Sequence, residues 1–189
     1  MSNLKQNAAA ETGFIDAAPV SRSKSIAVVA ILIAIGAVLR MFSPNILGIT
    51  PNFIIAMYCL AIVLLRPGIG GTLGIGFVAG AVCMIFSKSP IPMLNLITEP
   101  AGALACLLVV KMIPDLQKMK GYSFKPIVAT LIGTLVSGAI YVVLNFHFAL
   151  KMPMAAMQAA FVGVVVPMMF INAVMAQALY APAKKFLRL

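Results

Sequence analysis

Apolar runs of membrane-spanning length, each ended by proline, glycine or a cation, recur along this chain and dictate the solvent it folds in. A hydrocarbon core about 30 Å thick is crossed by about 20 helical residues, and lipid offers an open backbone no hydrogen bonds, so such runs fold as helices. Of the 189 residues, 62% are apolar and 10% charged, against roughly 45–50% apolar in soluble domains. Breaking the chain at its Pro, Gly and charge clusters predicts six spans, near residues 25–42, 50–66, 70–87, 98–113, 126–147 and 156–180. The expected fold is an all-α integral membrane protein, six transmembrane helices in one compact bundle over residues 25–189, after a flexible cytoplasmic tail at 1–24. The run Ile26 to Leu39 follows Arg22 and Lys24 like a signal peptide, but further spans follow and no small-x-small site precedes Arg40, so it reads as an uncleaved first helix. The second and fourth spans are short and proline-flanked, which predicts that the loops at 43–51 and 88–97 fold inward against protein.

Orientation follows from the cations, which accumulate in cytoplasmic loops. With both termini inside a prokaryotic cell membrane, Lys5, Arg22, Lys24, Arg66, Lys111, Lys118, Lys120, Lys125, Lys184, Lys185 and Arg188 fall on the cytoplasmic side, and only Arg40, Lys88 and Lys151 outside. An odd number of spans would spoil that bias. The formal charge of +10 therefore has a topological explanation, and no nucleic-acid module accompanies it.

One acid stands apart. Glu99 is the only acidic residue between Asp16 and Asp115, and a carboxyl group at the edge of hydrocarbon is costly enough to mark function. A second reading is local: Thr98 as helix cap with Glu99 and Pro100 in the first turn. Both can hold together.

Under the predicted orientation the outer helix ends gather Arg40, Asn45, Asn52, Asn95, Glu99, Asn145, His147 and Gln158. These describe an outward-facing cavity for a small polar or zwitterionic molecule, with Arg40 suited to an anionic group and Glu99 to an ammonium or ring N–H. The candidate binding residues are Glu99, Asn95, Arg40, Asn52, Asn145, His147 and Gln158. Pro167 should bend the sixth span near its middle.

Several chemistries are excluded by what the spacing lacks. The single histidine, His147, has no cysteine or acid beside it to complete a metal site. Cys59, Cys83 and Cys106 lie in separate runs as buried thiols. There is no His-Glu-x-x-His, no Gly-Lys-Ser/Thr phosphate loop and no flanking pattern to make Ser137 a protease nucleophile. Gly74-Ile-Gly76-Phe-Val-Ala79 matches a dinucleotide fingerprint only nominally, without a βαβ unit. No enzyme and no cofactor is expected.

Small residues form two patterns. Gly70, Gly74, Gly76 and Gly80 give the third span two small-xxx-small pairs for close helix approach. Ala30 and Ala34 share a face of the first span with Ala27 and Ala37 nearby, a stripe that can seal against an internal helix or dock another subunit.

Six spans, a length near 190 and Ala30-x-x-x-Ala34 resemble the substrate-binding S components of energy-coupling factor (ECF) transporters, over about residues 25–181. Ile49-Thr-Pro51-Asn52-Phe and Ile91-Pro-Met-Leu-Asn95-Leu-Ile-Thr-Glu99-Pro are similar to loops of the tryptophan-transporter branch, with Thr50 and Asn52 in place of a Lys and an Asp and Glu99 near the second acid. The resemblance implies capture of a vitamin or an amino acid such as tryptophan outside, and closure of the loops after the first and third spans. It also implies docking through Ala30 and Ala34 onto a transmembrane coupling subunit powered by two ATPases. Two other readings fit the same residues: a stand-alone secondary transporter with Glu99 as its proton-coupling group, and a ligand-free membrane scaffold.

Overall fold

The computed structural model describes residues 21–113 and 123–187. The expected tail therefore lies almost wholly outside the described residues, as do Lys5, Lys118, Lys120 and Arg188. Six helices follow one another: α1 (Arg22–Met41), α2 (Ile54–Leu65), α3 (Ile69–Phe86), α4 (Pro92–Met112), α5 (Lys125–Ala149) and α6 (Met154–Leu187). Five of them are long and apolar enough to cross a membrane. The protein is a multi-pass, all-helical membrane protein among its described residues.

The exception is α2, whose 12 residues rise only about 18 Å. Its shortness has a packing cause. From Ile54 to Val63 no residue is more than 4% exposed, so α2 is a central post wrapped by protein, which supplies the partners that lipid cannot. Ile54, Tyr58, Cys59 and Ile62 join Ile33 and Ala37 of α1, Ala79 and Cys83 of α3, and Ala103, Cys106 and Leu107 of α4 in the main core. On the outer surface Ile31, Val38, Phe77, Val78, Ile85, Leu108, Val162, Phe170 and Val174 are exposed, the apolar face that lipid would cover.

Helix ends follow local chemistry. Ser21 caps α1, its Oγ accepting from Lys24 N at 3.3 Å. Pro126 sits in the first turn of α5 and Pro153 just before α6, positions where a missing N–H costs nothing. The fourth helix starts earlier than its polar, proline-rich sequence suggested: Pro92–Leu94 form a 3-10 turn that runs straight into an α-helix at Asn95. Thr98, Glu99 and Pro100 thus lie past the first turn. Thr98 is no cap; its hydroxyl is buried without a partner.

The glycine pairs of α3 divide by face. A Cβ on Gly76 would stand 2.6 Å from Pro100 Cα, and one on Gly80 2.6 Å from Asn95 O. Only glycine admits α4 that close. Gly70 and Gly74 meet nothing within 4 Å and face outward. In α1, Gly36 and Ala37 are buried, with a Gly36 Cβ placed 2.8 Å from Ile54 Cα, whereas Ala30 and Ala34 are exposed. The first span's small stripe is therefore two stripes, one sealing against α2 and one facing out.

Just before Pro167, where a bend was expected, α6 has a π-helical stretch at Phe161–Val165, in which Val166 N reaches back to Phe161 O. Widening the turn before the proline accommodates its missing donor. A second π-helical stretch, Val143–Ala149, ends α5.

Candidate binding site

The segment between α1 and α2 is held by the segment between α3 and α4. Lys88 uses three groups: its Nζ donates to Ser43 O at 2.8 Å and Met41 O at 3.3 Å, its N–H donates to Thr50 Oγ1 at 2.9 Å, and its carbonyl accepts from Asn45 Nδ2 at 2.6 Å. Thr50 N donates to Ser89 Oγ at 3.0 Å. Thr50 and Ser89 are buried, whereas Asn45, Ile46, Leu47, Lys88 and Pro90 are exposed, so the expected inward folding of loops 43–51 and 88–97 holds for part of each, and residues 92–97 are helical. Gly48, at φ 79°, makes the tight reversal in which Ile46 and Ile49 exchange backbone hydrogen bonds.

Beneath this clasp lies a cavity with about 50 Å³ of space for water-sized molecules. Arg40, Thr50, Asn52, Ser89, Asn95, Glu99, Thr134, Ser137 and Tyr141 supply its polar wall; Ile49, Ile55, Val164, Val165 and Met168 supply an apolar one. The π-helical turn of α6 lets two consecutive residues, Val164 and Val165, face the same hollow.

Glu99 is 2% exposed and is held by three neutral donors. Asn52 Nδ2 donates to Oε1 at 2.8 Å, and Tyr58 OH and Ser137 Oγ donate to Oε2 at 3.1 Å each. Asn52 is itself fixed, its Oδ1 accepting from Ile54 N at 3.1 Å. Arg40, also 2% exposed, ends α1 where the helix dipole favours a cation. Its Nη1 donates weakly to Thr50 O at 3.4 Å, and its Nε has no partner. No salt bridge joins Arg40 to Glu99.

Four of the sequence candidates, Arg40, Asn52, Asn95 and Glu99, line this cavity. Three do not. His147 and Gln158 are exposed, and Asn145 is fully buried outside the lining with both amide atoms unpartnered. For His147 the cause is local, since the π-helical end of α5 and the turn to Pro153 leave residues 147–155 at the surface, whereas Gln158 stands on the exposed face of the first turns of α6.

Sequence reasoning passed over Thr50, Tyr58, Ser89, Thr134, Ser137 and Tyr141. A signal for three of them was present, since Thr134, Ser137 and Tyr141 recur at i, i+3, i+7 and so share one helical face. Tyr58 stood out too, as the one hydroxyl in the apolar run of α2.

A multi-pass helical bundle enclosing one amphipathic hollow, with a cation and a carboxyl group that do not satisfy each other, defines a membrane transport protein. The chain belongs to the family described as Tryptophan transporter TrpP, whose family model matches residues 22–188. That is the branch of S components its loop segments resemble. A curated relative, the probable tryptophan transport protein of Clostridium acetobutylicum, is 27% identical over 166 residues, covering 87% of this chain and 94% of the relative. No solved structure matches the chain.

Proposed function

We propose that the chain is the substrate-binding membrane subunit of an ECF-type importer and that its substrate is tryptophan. The observation that carries this reading is the division of one cavity into a charged half, Arg40 and Glu99 unpaired with each other, and an apolar half formed by Ile49, Ile55, Val164, Val165 and Met168. A free amino acid with a large apolar side chain has the same division. Its carboxylate takes Arg40, whose Nε lacks a partner, in a charge-assisted bond. Its ammonium takes Glu99, with Asn52 and Asn95 alongside, and its ring lies on the valines and Met168. The family and the relative's description supply the identity of the ring.

The sixth crossing in this reading is α2 together with the inward-folded segment before it. Loops 43–53 and 87–91 form the cover over the cavity, closed on the outer side. Ala30 and Ala34, exposed on α1, form the face for a transmembrane coupling subunit carrying two ATPases.

The chain contains no tryptophan, so ligand emission is free of protein background. Titrating L-tryptophan into the purified full chain should give a saturable change in ligand fluorescence, and absence of saturation removes the substrate assignment. Ala34→Trp should reduce co-purification with the coupling subunit and ATPases while leaving detection of bound ligand possible from the difference signal. Unchanged co-purification and uptake in that variant removes the docking face. Uptake by liposomes holding this chain alone, driven by a pH gradient, would replace the ECF reading with a secondary transporter.

A further inference from the structure

Two neighbours on α5 face the hollow with different tasks. Ser137 donates to the Glu99 carboxyl group, and Gly138, the next residue, lies in the lining together with Val165 of α6. Gly138 and Val165 meet more closely than a side chain at 138 would allow. A Cβ there would stand 2.6 Å from Val165 Cγ1, 3.1 Å from Cγ2 and 3.4 Å from Cβ. The isopropyl group of Val165 therefore occupies the notch that a side chain at 138 would fill.

That notch decides how far the apolar wall stands back. The hollow has about 50 Å³ for water-sized molecules, room for a few waters at about 10–15 Å³ each, so a ring enters only where the wall can yield. Met168 can, being unbranched and adaptable. Val165 cannot swing aside, because a β-branched side chain in a helix keeps one strongly preferred χ1 rotamer. Its position is set by what lies behind it, and Gly138 lies behind it. Nor can α5 and α6 part to relieve a larger residue there. One turn before Gly138, Thr134 Oγ1 accepts from Asn172 Nδ2 of α6 at 3.3 Å. One turn after it, Tyr141 and Val142 join Val164, Val165 and Met168 in a single buried cluster.

We propose that Gly138 is the specificity-determining residue for the apolar part of the substrate. By recessing Val165 it leaves room for a bicyclic ring, and a side chain at 138 restricts the site to smaller amino acids such as phenylalanine. This rests on the reading of the cavity as an amino-acid site and adds the residue that measures the side chain.

Competition of phenylalanine against bound tryptophan, read by ligand emission from the purified full chain, gives the affinity ratio of the two. The native chain should favour tryptophan. Gly138→Ala should shrink the ratio about tenfold, the scale of one methylene too many in an apolar pocket. Combining Gly138→Ala with Val165→Ala should restore it, since the new methyl then enters the notch that the valine leaves. Val165→Leu thickens the same wall from α6 and should shrink the ratio even where Gly138→Ala does not fold. Gly133→Ala, on the same helix but outside the lining, would place its Cβ 2.8 Å from Cys59 Sγ; it should lower thermal stability and leave the ratio alone. With tryptophan still bound by the native chain, three results overturn this inference and spare the substrate reading: a ratio unmoved in both Gly138→Ala and Val165→Leu, a double variant no better than Gly138→Ala, or an equal shift in Gly133→Ala. A native chain that binds neither amino acid overturns both.

Discussion

Asn52 Nδ2 lies 2.8 Å from Glu99 Oε1, joining the start of α2 to the second turn of α4 across 47 residues of sequence. The bond explains why Glu99 can be buried with no cation against it. Asn52, Tyr58 and Ser137, from three separate elements, solvate the carboxyl group in place of water. No salt bridge joins it to Arg40, whose Nε has no hydrogen-bond partner.

That division predicts which part of the ligand each residue reads. Tryptamine, lacking the carboxylate, and indole-3-propionate, lacking the ammonium, should each bind the native chain roughly 10- to 100-fold more weakly than tryptophan, the range of a charge-assisted hydrogen bond. Arg40→Gln should shrink the tryptophan to tryptamine ratio, and Glu99→Gln the tryptophan to indole-3-propionate ratio. Titration of the three ligands against the native chain and both variants completes the two cycles. Ratios that stay constant across the variants would assign Arg40 and Glu99 to structure alone.

Much of this was legible in the sequence because a membrane forces its own signature. The apolar runs gave the helix bounds to within about four residues except at the start of α4 and the end of α6, and the isolation of Glu99 in apolar sequence marked the cavity. Arg40, Asn52 and Asn95 came from the same outer-end logic. What stayed hidden depends on rotation and depth, which composition does not carry. Thr134 and Ser137 look like ordinary helix filler until α5 is turned so that they face Glu99. His147 and Gln158 have the right chemistry near the right end, yet the π-helical end of α5 leaves His147 outside and Gln158 falls on the exposed face of α6. The six-span count was not confirmed, because α2 is shortened by burial rather than by polarity.

The two glycine pairs of α3 should separate in stability. Gly80→Ala sets a methyl 2.6 Å from Asn95 O and Gly76→Ala one 2.6 Å from Pro100 Cα. Both neighbours are helix backbone and cannot swing aside, so each variant should lose about 1–3 kcal/mol, the usual cost of overpacking. Gly74→Ala, with nothing within 4 Å, should leave stability unchanged or raise it through helix propensity. Thermal unfolding in one detergent compares the three. A loss in Gly74→Ala equal to that in Gly80→Ala would mean that the outward pair is packed as well.

Lys88 binds the loop over the cavity from outside it. Its ammonium spans Ser43 O and Met41 O, so Lys88→Gln should loosen the cover without touching the ligand. Bound tryptophan should leave roughly two- to fivefold faster, the modest effect of an exposed charged contact. Equilibrium affinity should fall less than in Glu99→Gln. Stopped-flow chase of bound ligand measures the first and titration the second; an unchanged release rate would show that the cover opens without breaking this clasp.

Asn172, on α6 and fully buried, supports the site without lining it. Its Nδ2 donates to the backbone oxygen of Asn52 at 3.0 Å and to Thr134 Oγ1 at 3.3 Å. Those two bonds set the turn that aims Asn52 at Glu99, and they attach it to α6, the helix whose Val164, Val165 and Met168 form the apolar wall. Asn172→Leu keeps the branched shape at a somewhat larger volume and removes both bonds, leaving the Asn52 carbonyl short of a donor at a cost of about 1–3 kcal/mol. Tryptophan affinity should fall about tenfold, because a misdirected Asn52 no longer holds Glu99 in place. Gln177→Leu is the matched comparison. It removes one bond from the same helix, Nε2 to Ser123 O at 3.1 Å, at the far end of α5, so it should lower thermal stability by a similar amount and leave affinity alone. If Asn172→Leu and Gln177→Leu alter affinity equally, Asn172 holds helices together and does not position the site.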